Sequence, residues 1–126
     1  MSGGPCAVQF ADLRALLLGS TFHFQNEADL QEGFAMLLTA HGVPFQREVR
    51  LSKKDRIDFL VDGGLGVELK VAMSAASVLR QLHRYAEHEE IAALLLVTRC
   101  ASHCRLPPAA PNGKQIWVEY LQGAFT

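Results

Sequence analysis

Two carboxylates and a lysine stand in the stretch DFLVDGGLGVELKV, residues 58–71, among apolar residues typical of buried strands. The chemically active positions are Asp58, Glu68 and Lys70. Two neighbouring carboxylates repel each other unless a proton or a cation lies between them. Carboxylate oxygens are also the ligands that Mg²⁺ and Mn²⁺ prefer. The stretch therefore predicts a divalent-metal site if the fold brings the acids together, and otherwise a half-solvated strand face with a Glu–Lys pair.

The alternation of side chains along a strand predicts which way these charges point. The stretch reads as two strands joined by a glycine turn at residues 62–64. On the first strand Asp58 is expected on one face, and the apolar residues on the other face are Ile57, Phe59 and Val61. On the second strand Glu68 and Lys70 share one face, and the apolar face is Leu65, Val67, Leu69 and Val71. The hairpin is therefore expected to bring Asp58 and Glu68 across from each other.

Two predicted helices add polar side chains on or beside apolar stripes. At about 100° per residue, Glu27 lies within the stripe of the helix that follows Asn26. A carboxylate there is costly unless it has a partner, but an acid in the first helical turn is also favoured by the helix dipole and can stay in water. Gln81 and Tyr85 are four residues apart and share a face of the later helix. Such a pair is most often found at the edge of a core.

The elements that must position these residues follow from periodicity and from turn residues. A single domain, residues 1–126, is expected, with a core at about 26–98. The predicted elements are an accessory helix at 8–18, a helix from the N-cap Asn26 to the helix-ending Gly42, strands at 45–51, 56–61 and 65–71, a helix at 74–88 with Ser74 as N-cap, a buried strand at 91–98, and a loop and edge strand within 99–126. The inner side of the first strand is expected to carry Phe45, Val49 and Leu51. This order predicts an α/β sandwich with a mixed sheet.

Composition excludes some classes of protein. The 126 residues suffice for one domain with a real core, and the formal net charge of −1 gives no overall basic field. No apolar stretch is long enough to span a membrane, and the N-terminus lacks the pattern of a signal peptide. Three cysteines, an odd number, favour a reduced cytoplasmic chain over a disulfide framework. Five cations lie between residues 47 and 56, a run that is most often a solvated strand and loop.

The candidate residues, taken in their order along the chain, resemble the motifs of the PD-(D/E)XK nuclease superfamily. The resemblance covers roughly Glu27 to Thr98, and its core is Asp58 on one strand and Glu68-Leu69-Lys70 on the next. The helix with Glu27 resembles the family's first motif, and residues 81–85 match the Gln-x-x-x-Tyr pattern of a branch that includes exonucleases. The proline of the family's name is missing before Asp58. The resemblance implies a restriction-endonuclease-like three-layer sandwich, with an αβββαβ core around a mixed sheet of four to five strands.

The resemblance also implies a metal-dependent nuclease that hydrolyses phosphodiester bonds, with DNA as the first candidate substrate. Asp58, Glu68 and the carbonyl of Leu69 would hold Mg²⁺ or Mn²⁺, and Glu27 would complete the shell. Lys70 would orient or deprotonate the attacking water and stabilise the pentavalent state, which favours a depressed pKa of Lys70 beside the metal site. Cleft residues would be Gln81 and Tyr85. Phosphate contacts would come from Arg47, Arg50, Lys53, Lys54, Arg56, Arg80 and Arg84. A homodimer and a protein partner that supplies specificity are further expectations.

Two alternatives remain open at this point. The first is a catalytically inactive module that binds nucleic acid or protein on the same fold, although all of Asp58, Glu68 and Lys70 are present. The second is a small zinc site in the segment CASHC, residues 100–104, whose candidate ligands are Cys100, His103 and Cys104. A fourth zinc ligand is missing from the local sequence, which favours a reduced cysteine pair at the end of a buried strand.

Overall fold

The structure is a computed structural model that describes residues 4–20 and 24–121. Its elements are α1 (Gly4–Leu18), α2 (Glu27–Ala40), β1 (Phe45–Arg50), β2 (Arg56–Val61), β3 (Leu65–Lys70), α3 (Ala75–Ala86), β4 (Ala93–Thr98), the 3₁₀ helix η1 (Ala101–Arg105) and β5 (Ile116–Tyr120). The five strands form one sheet in the order β1-β2-β3-β4-β5. The first three strands are an antiparallel meander, and β4 and β5 continue the sheet in parallel. The predicted α/β class and mixed sheet are confirmed.

Helix starts follow the predicted capping residues. The side chain of Asn26 accepts a hydrogen bond from the backbone N–H of Asp29 at 2.8 Å, and Ser74 accepts one from Ser77 N–H at 3.2 Å. Each side chain satisfies a backbone donor that has no partner within its helix. Element ends differ by a few residues from the prediction, since α1 begins at Gly4 and β4 begins at Ala93.

Helices cover both faces of the sheet. One core lies between α1, α2 and the sheet, and its buried side chains from the two central strands are Leu65, Val67, Leu69, Ala93, Leu95 and Val97. The other core lies under α3 and contains Val78, Leu82, Tyr85, Leu94 and Leu96. All residues of β3 and β4 are buried as a result. A strand covered on both faces reads as a continuous apolar run, which explains the sequence of β4.

In β1 and β2, the face of the sheet to which the apolar side chains point changes partway along the strand, contrary to the prediction. Phe59 and Val61 pack toward α1 and α2, but Ile57 packs toward α3. In β1, Phe45 packs with the first core and Val49 and Leu51 with the second. The change occurs at Glu48, whose φ is +50°, and at Asp58, which the register of the ladder places opposite Glu48. The strict alternation assumed for both strands was therefore wrong at this one step.

Gly66 makes room for the displaced Ile57. A Cβ at Gly66 would lie 2.6 Å from Cδ1 of Ile57 and 2.9 Å from Cδ1 of Ile91. Such distances are too short for carbon atoms, so a larger residue would push these side chains apart. The missing side chain at Gly66 thus leaves the space in which Ile57 packs under α3.

The C-terminal part holds the predicted edge strand and one element that was not predicted. β5 pairs in parallel with β4 at the sheet edge, and η1 connects the two strands. Residues 122–126, which belong to the predicted C-terminal segment, lie outside the described residues. Within residues 4–20 and 24–121, no helix has the length and apolar character needed to cross a membrane.

Candidate active site

β2 and β3 separate at Asp58, and side chains replace the backbone ladder there. The last backbone pair of the hairpin on this side is Phe59 with Val67. Beyond it, Oδ2 of Asp58 accepts a hydrogen bond from the N–H of Leu69 at 2.8 Å. The N–H of Asp58 in turn donates to Oε1 of Glu68 at 3.2 Å. The two carboxylates therefore lie side by side in the gap between the strands.

Lys70 forms an enclosed ion pair with Glu68. Its Nζ lies 2.9 Å from Oε2 of Glu68, and the side chains are only 7% and 3% exposed. Burial, with the nearby Asp58 carboxylate, raises the pKa of Glu68 to about 7. Burial by itself would lower the pKa of Lys70, but the Glu68 carboxylate, helped by Glu27 and Asp58, raises it above its usual value. The depressed lysine pKa expected beside a bound metal ion stays a prediction, since the carboxylates have the opposite effect on the pKa of Lys70 in this arrangement.

Glu27 reaches the end of β3 from the first residue of α2. It is half-buried, and its Oε1 accepts a hydrogen bond from the N–H of Val71 at 3.3 Å. Its negative charge is one of those that raise the pKa of Asp58 and Lys70. The stripe position read from the sequence thus corresponds to a carboxylate that faces the sheet beside the other charges.

Asp58 lies in an acidic environment that includes a residue missed by the sequence reading. Burial raises the pKa of Asp58, and the charges of Glu27 and Glu48 raise it further, against the lowering effects of the Leu69 N–H and Lys70. Glu48 is exposed, and its Oε1 lies 3.8 Å from Nη2 of Arg56. It lies between Arg47 and Val49, which pair with the residues on either side of Asp58. The register of the predicted strands 45–51 and 56–61 was the signal that could have identified it.

Tyr85 and Gln81 come to the site from α3. Tyr85 is buried, and its hydroxyl donates to the carbonyl of Arg56 at 2.9 Å. Burial and the carboxylates of Glu68 and Asp58 raise its pKa well above the usual value. Gln81 lies one turn earlier, and within the described part of the chain its Oε1 is buried without a hydrogen-bond partner. Tyr85 thus fixes the backbone of β2 near the carboxylates, while the amide of Gln81 retains an acceptor.

Three of the predicted phosphate-contacting arginines pair with carboxylates of the protein. Arg47 lies over the Phe59 ring, 5.4 Å from its centroid, and its Nη1 is 2.8 Å from Oε2 of Glu32. Arg84 donates to Asp55 at 3.0 Å. Arg56 is the third, through its exposed contact with Glu48. Such contacts compete with phosphates for the guanidinium donors.

The other four cations are directed toward solvent. Among the described residues, no carboxylate lies within ion-pair distance of Arg50, Lys53, Lys54 or Arg80. Lys53 and Lys54 are exposed in the turn between β1 and β2, which Arg50 supports by donating to the carbonyl of Lys53 at 3.1 Å. Arg80 donates to Ser77 Oγ on the exposed side of α3. Within the basic run, Arg47 and Arg56 therefore pair with carboxylates, whereas Arg50, Lys53 and Lys54 belong to the exposed turn.

A second residue missed by the sequence reading holds that turn to α3. Asp55 is only 6% exposed and accepts hydrogen bonds from Arg84 at 3.0 Å and from His88 at 3.1 Å. Burial would raise the pKa of Asp55, but these two partners bring it below the usual value. The sequence alone shows Asp55 only as one more charge in a polar loop.

The segment CASHC holds the backbone that follows Lys70. His103 is fully buried, and Nε2–H donates to the carbonyl of Met73 at 2.8 Å. Nδ1 lies 2.7 Å from the hydroxyl of Thr98 and accepts its proton in the neutral ring. Cys100 donates through Sγ to the carbonyl of Val71 at 3.4 Å. Because both ring nitrogens have partners, the arrangement is that of a structural histidine and does not support the zinc interpretation.

The carboxylate and carbonyl oxygens of Asp58, Glu68 and Leu69 are of the chemical type that binds hard divalent cations, but they are not arranged as a complete metal site. Within residues 4–20 and 24–121, no three His, Cys, Asp or Glu side chains are placed to hold a metal ion together. Oδ1 of Asp58 accepts no hydrogen bond from the described residues. The carbonyl of Leu69 faces the same gap as its N–H, because both groups of a strand residue point to the same side. The oxygen atoms here that could act as metal ligands are those of the Asp58 and Glu68 carboxylates and of the Leu69 carbonyl.

Comparisons with protein-family models, curated proteins and solved structures give no match for this chain.

Proposed function

We propose that this chain is a divalent-metal-dependent nuclease of the PD-(D/E)XK type that hydrolyses phosphodiester bonds in DNA. The observation that carries the proposal is the arrangement of Asp58, Glu68 and Lys70 where β2 and β3 separate. Asp58 and Glu68 are linked through each other's strand backbone, and Lys70 lies 2.9 Å from Glu68. Burying a lysine with two carboxylates at a gap in a sheet costs desolvation free energy, and groups perturbed in this way are concentrated at functional sites.

The architecture supports the finer fold assignment. The order from α2 to β4 is αβββαβ, with the meander β1-β2-β3 extended by β4 in parallel. Helices pack on both faces of the sheet. This order agrees with a restriction-endonuclease-like three-layer sandwich, in which α1 and β5 would be additions to the core.

Each polar residue then has a role in the proposed reaction. A divalent ion bound by Asp58, Glu68 and the Leu69 carbonyl would acidify water and neutralise charge at the scissile phosphate. The Lys70 ammonium would donate hydrogen bonds to the attacking water or to a phosphate oxygen. Glu27 accepts from Val71 N–H and so steadies the backbone immediately after Lys70.

Nucleic-acid binding would depend on the exposed cations. Lys53 and Lys54 lie at the tip of the turn that leads into β2, the strand of Asp58. Arg80 projects from the exposed side of α3, one residue before Gln81. Exposed positive charges on both elements suit the polyanionic backbone of nucleic acid. A homodimer and a specificity-giving partner remain predictions.

The test is cleavage of linear, circular and branched DNA, with RNA for comparison, in Mg²⁺, Mn²⁺ or EDTA. We expect cleavage of at least one DNA form with Mg²⁺ or Mn²⁺ and none in EDTA. Lys70→Ala should reduce cleavage on the order of 10²-fold, because a positioned acid or base is lost. Arg105→Ala is the matched control, since Arg105 is an exposed cation on η1 outside the proposed site. Full cleavage by the Lys70 variant would place the active site elsewhere.

The second candidate is an inactive module that binds nucleic acid on the same fold. It is favoured by the absence of a preassembled metal cage among the described residues and by the neutralisation of Glu68 by Lys70. Binding of DNA without cleavage in any divalent ion would support this candidate against the nuclease.

A further inference from the structure

We infer that Lys70 is the resident counter-ion of the site and that an entering divalent cation displaces it from Glu68. This inference rests on the proposed function and concerns how the site is switched on. In the structure the Lys70 ammonium lies 2.9 Å from Oε2 of Glu68, one of the carboxylate oxygens that a metal ion would use. Metal binding would therefore replace the Lys70 ammonium at Glu68 with a divalent ion.

The two contacts of Glu68 differ in their ability to move. Oε1 accepts from the backbone N–H of Asp58, which is fixed by the fold of β2. Oε2 is held by the Lys70 ammonium, which lies at the end of a flexible four-carbon side chain. A metal ion could thus bind Oε2 of Glu68 without disturbing the backbone of β2. Asp58 could offer its second oxygen, Oδ1, to the same ion, because its hydrogen bond from the N–H of Leu69 uses Oδ2.

Displacement gives Lys70 a different partner. Both side chains of the pair are nearly buried, so an ammonium without a counter-ion would be costly inside the protein. Glu27 supplies part of the remaining negative charge near Lys70, and a substrate phosphate at the site would supply the rest. Metal binding and substrate binding should therefore favour each other, and the metal-free protein should hold its lysine on Glu68.

The first test is Mn²⁺ binding without substrate, measured by isothermal titration calorimetry. Lys70→Met removes the competing charge and should bind Mn²⁺ more tightly than the wild type, on the order of tenfold, because a like charge within a few ångströms is removed. Lys70→Arg keeps the charge and should stay close to the wild-type affinity. Glu68→Gln should lose binding. Arg105→Met, the control for net charge, should not change the affinity.

The second test observes Lys70 directly in the wild-type protein and uses variants only to assign the signal and as a control. Because the Lys70 ammonium is paired and nearly buried, it should give a side-chain NH₃⁺ signal in ¹H–¹⁵N NMR. This signal is assigned as the one that is missing from the spectrum of Lys70→Arg. Titration with Mg²⁺ should shift that signal, while Mg²⁺ added to Glu68→Gln should not produce the same change.

The outcomes separate the two proposals. If the wild type binds Mn²⁺ but Lys70→Met binds it no more tightly, or if Mg²⁺ leaves the Lys70 signal unchanged, the exchange is refuted and the nuclease proposal stands. If neither the wild type nor any Lys70 variant binds Mn²⁺, the metal site itself is refuted. Tighter binding by Lys70→Met together with the NMR shift would support the exchange.

Discussion

Asp58 and Glu68 are joined through each other's strand, since the N–H of Asp58 donates to Glu68 while Asp58 accepts from the N–H of Leu69, next to Glu68. The carboxylates thus complete the hydrogen bonding of β2 and β3 where the backbones separate. They are structural acceptors and candidate metal ligands at the same time. Mutations at this point must separate the two roles.

Asp58→Asn and Asp58→Ala make that separation. Asparagine keeps an oxygen that can accept from Leu69 N–H, whereas alanine leaves this donor without a partner. We expect Asp58→Ala to lower the free energy of unfolding by about 1–3 kcal/mol relative to Asp58→Asn. Both variants should lose Mn²⁺ binding. Urea unfolding in EDTA measures the first difference, and equal stabilities of the two variants would contradict the structural role.

Asp55 should make stability depend on pH. Its folded-state pKa lies below the usual value of 3.8, so its charged form stabilises the fold above that pH. The contribution is lost as the pH falls through the lower folded-state value. Asp55→Asn should therefore cost on the order of 1 kcal/mol at pH 7, and this cost should shrink as the pH is lowered below 3.8 toward about 2.

Urea unfolding of both proteins across this pH range is the measurement for Asp55. Arg84→Ala, which removes one partner of Asp55, should reduce the difference between the aspartate and the asparagine protein. A difference that stays constant from pH 7 down to pH 2 would mean that the charge of Asp55 does not act through these contacts.

His103 should contribute to stability without any metal. His103→Ala leaves the hydroxyl of Thr98 and the carbonyl of Met73 without this buried partner. We expect a loss of about 2 kcal/mol or more in the free energy of unfolding. The exposed Cys104→Ala is the control and should be nearly neutral. Thermal unfolding of the wild type should be the same with and without a strong zinc chelator, and a lower Tm with chelator would restore the zinc interpretation.

The exposed turn should determine the salt dependence of DNA binding. Replacing Lys53 and Lys54 with alanine should weaken binding and reduce the log–log salt slope by about 0.7–0.9 for each phosphate that the variant no longer neutralises. Arg47→Ala is the informative comparison, because Arg47 pairs with Glu32 and lies over Phe59. This substitution should change the slope little. Binding titrations at several salt concentrations give both slopes, and an unchanged slope for the lysine variant would show a merely solvated turn.

Local rules predicted much of the scaffold because they depend on neighbouring residues. The caps Asn26 and Ser74 were identified from their side-chain type and the helical pattern that follows. The alternation in β3 correctly separated the apolar residues from Glu68 and Lys70, since both faces of this central strand keep the period of two. The position of Glu27 within its helical stripe also corresponded to a side chain that faces the sheet.

By itself, the sequence determined the order of the α-helices and strands, the class of fold and the grouping of Glu68 with Lys70 on one face of β3. Only the tertiary structure decided how their charges interact, because those interactions join residues distant along the chain. Glu27 lies 43 positions from Lys70 in the sequence yet helps to raise its pKa. The reversal at Asp58 likewise depends on Glu48 opposite it and on space over Gly66. Periodicity describes one strand at a time, whereas burial and Coulomb interactions are summed over everything that packs around a residue.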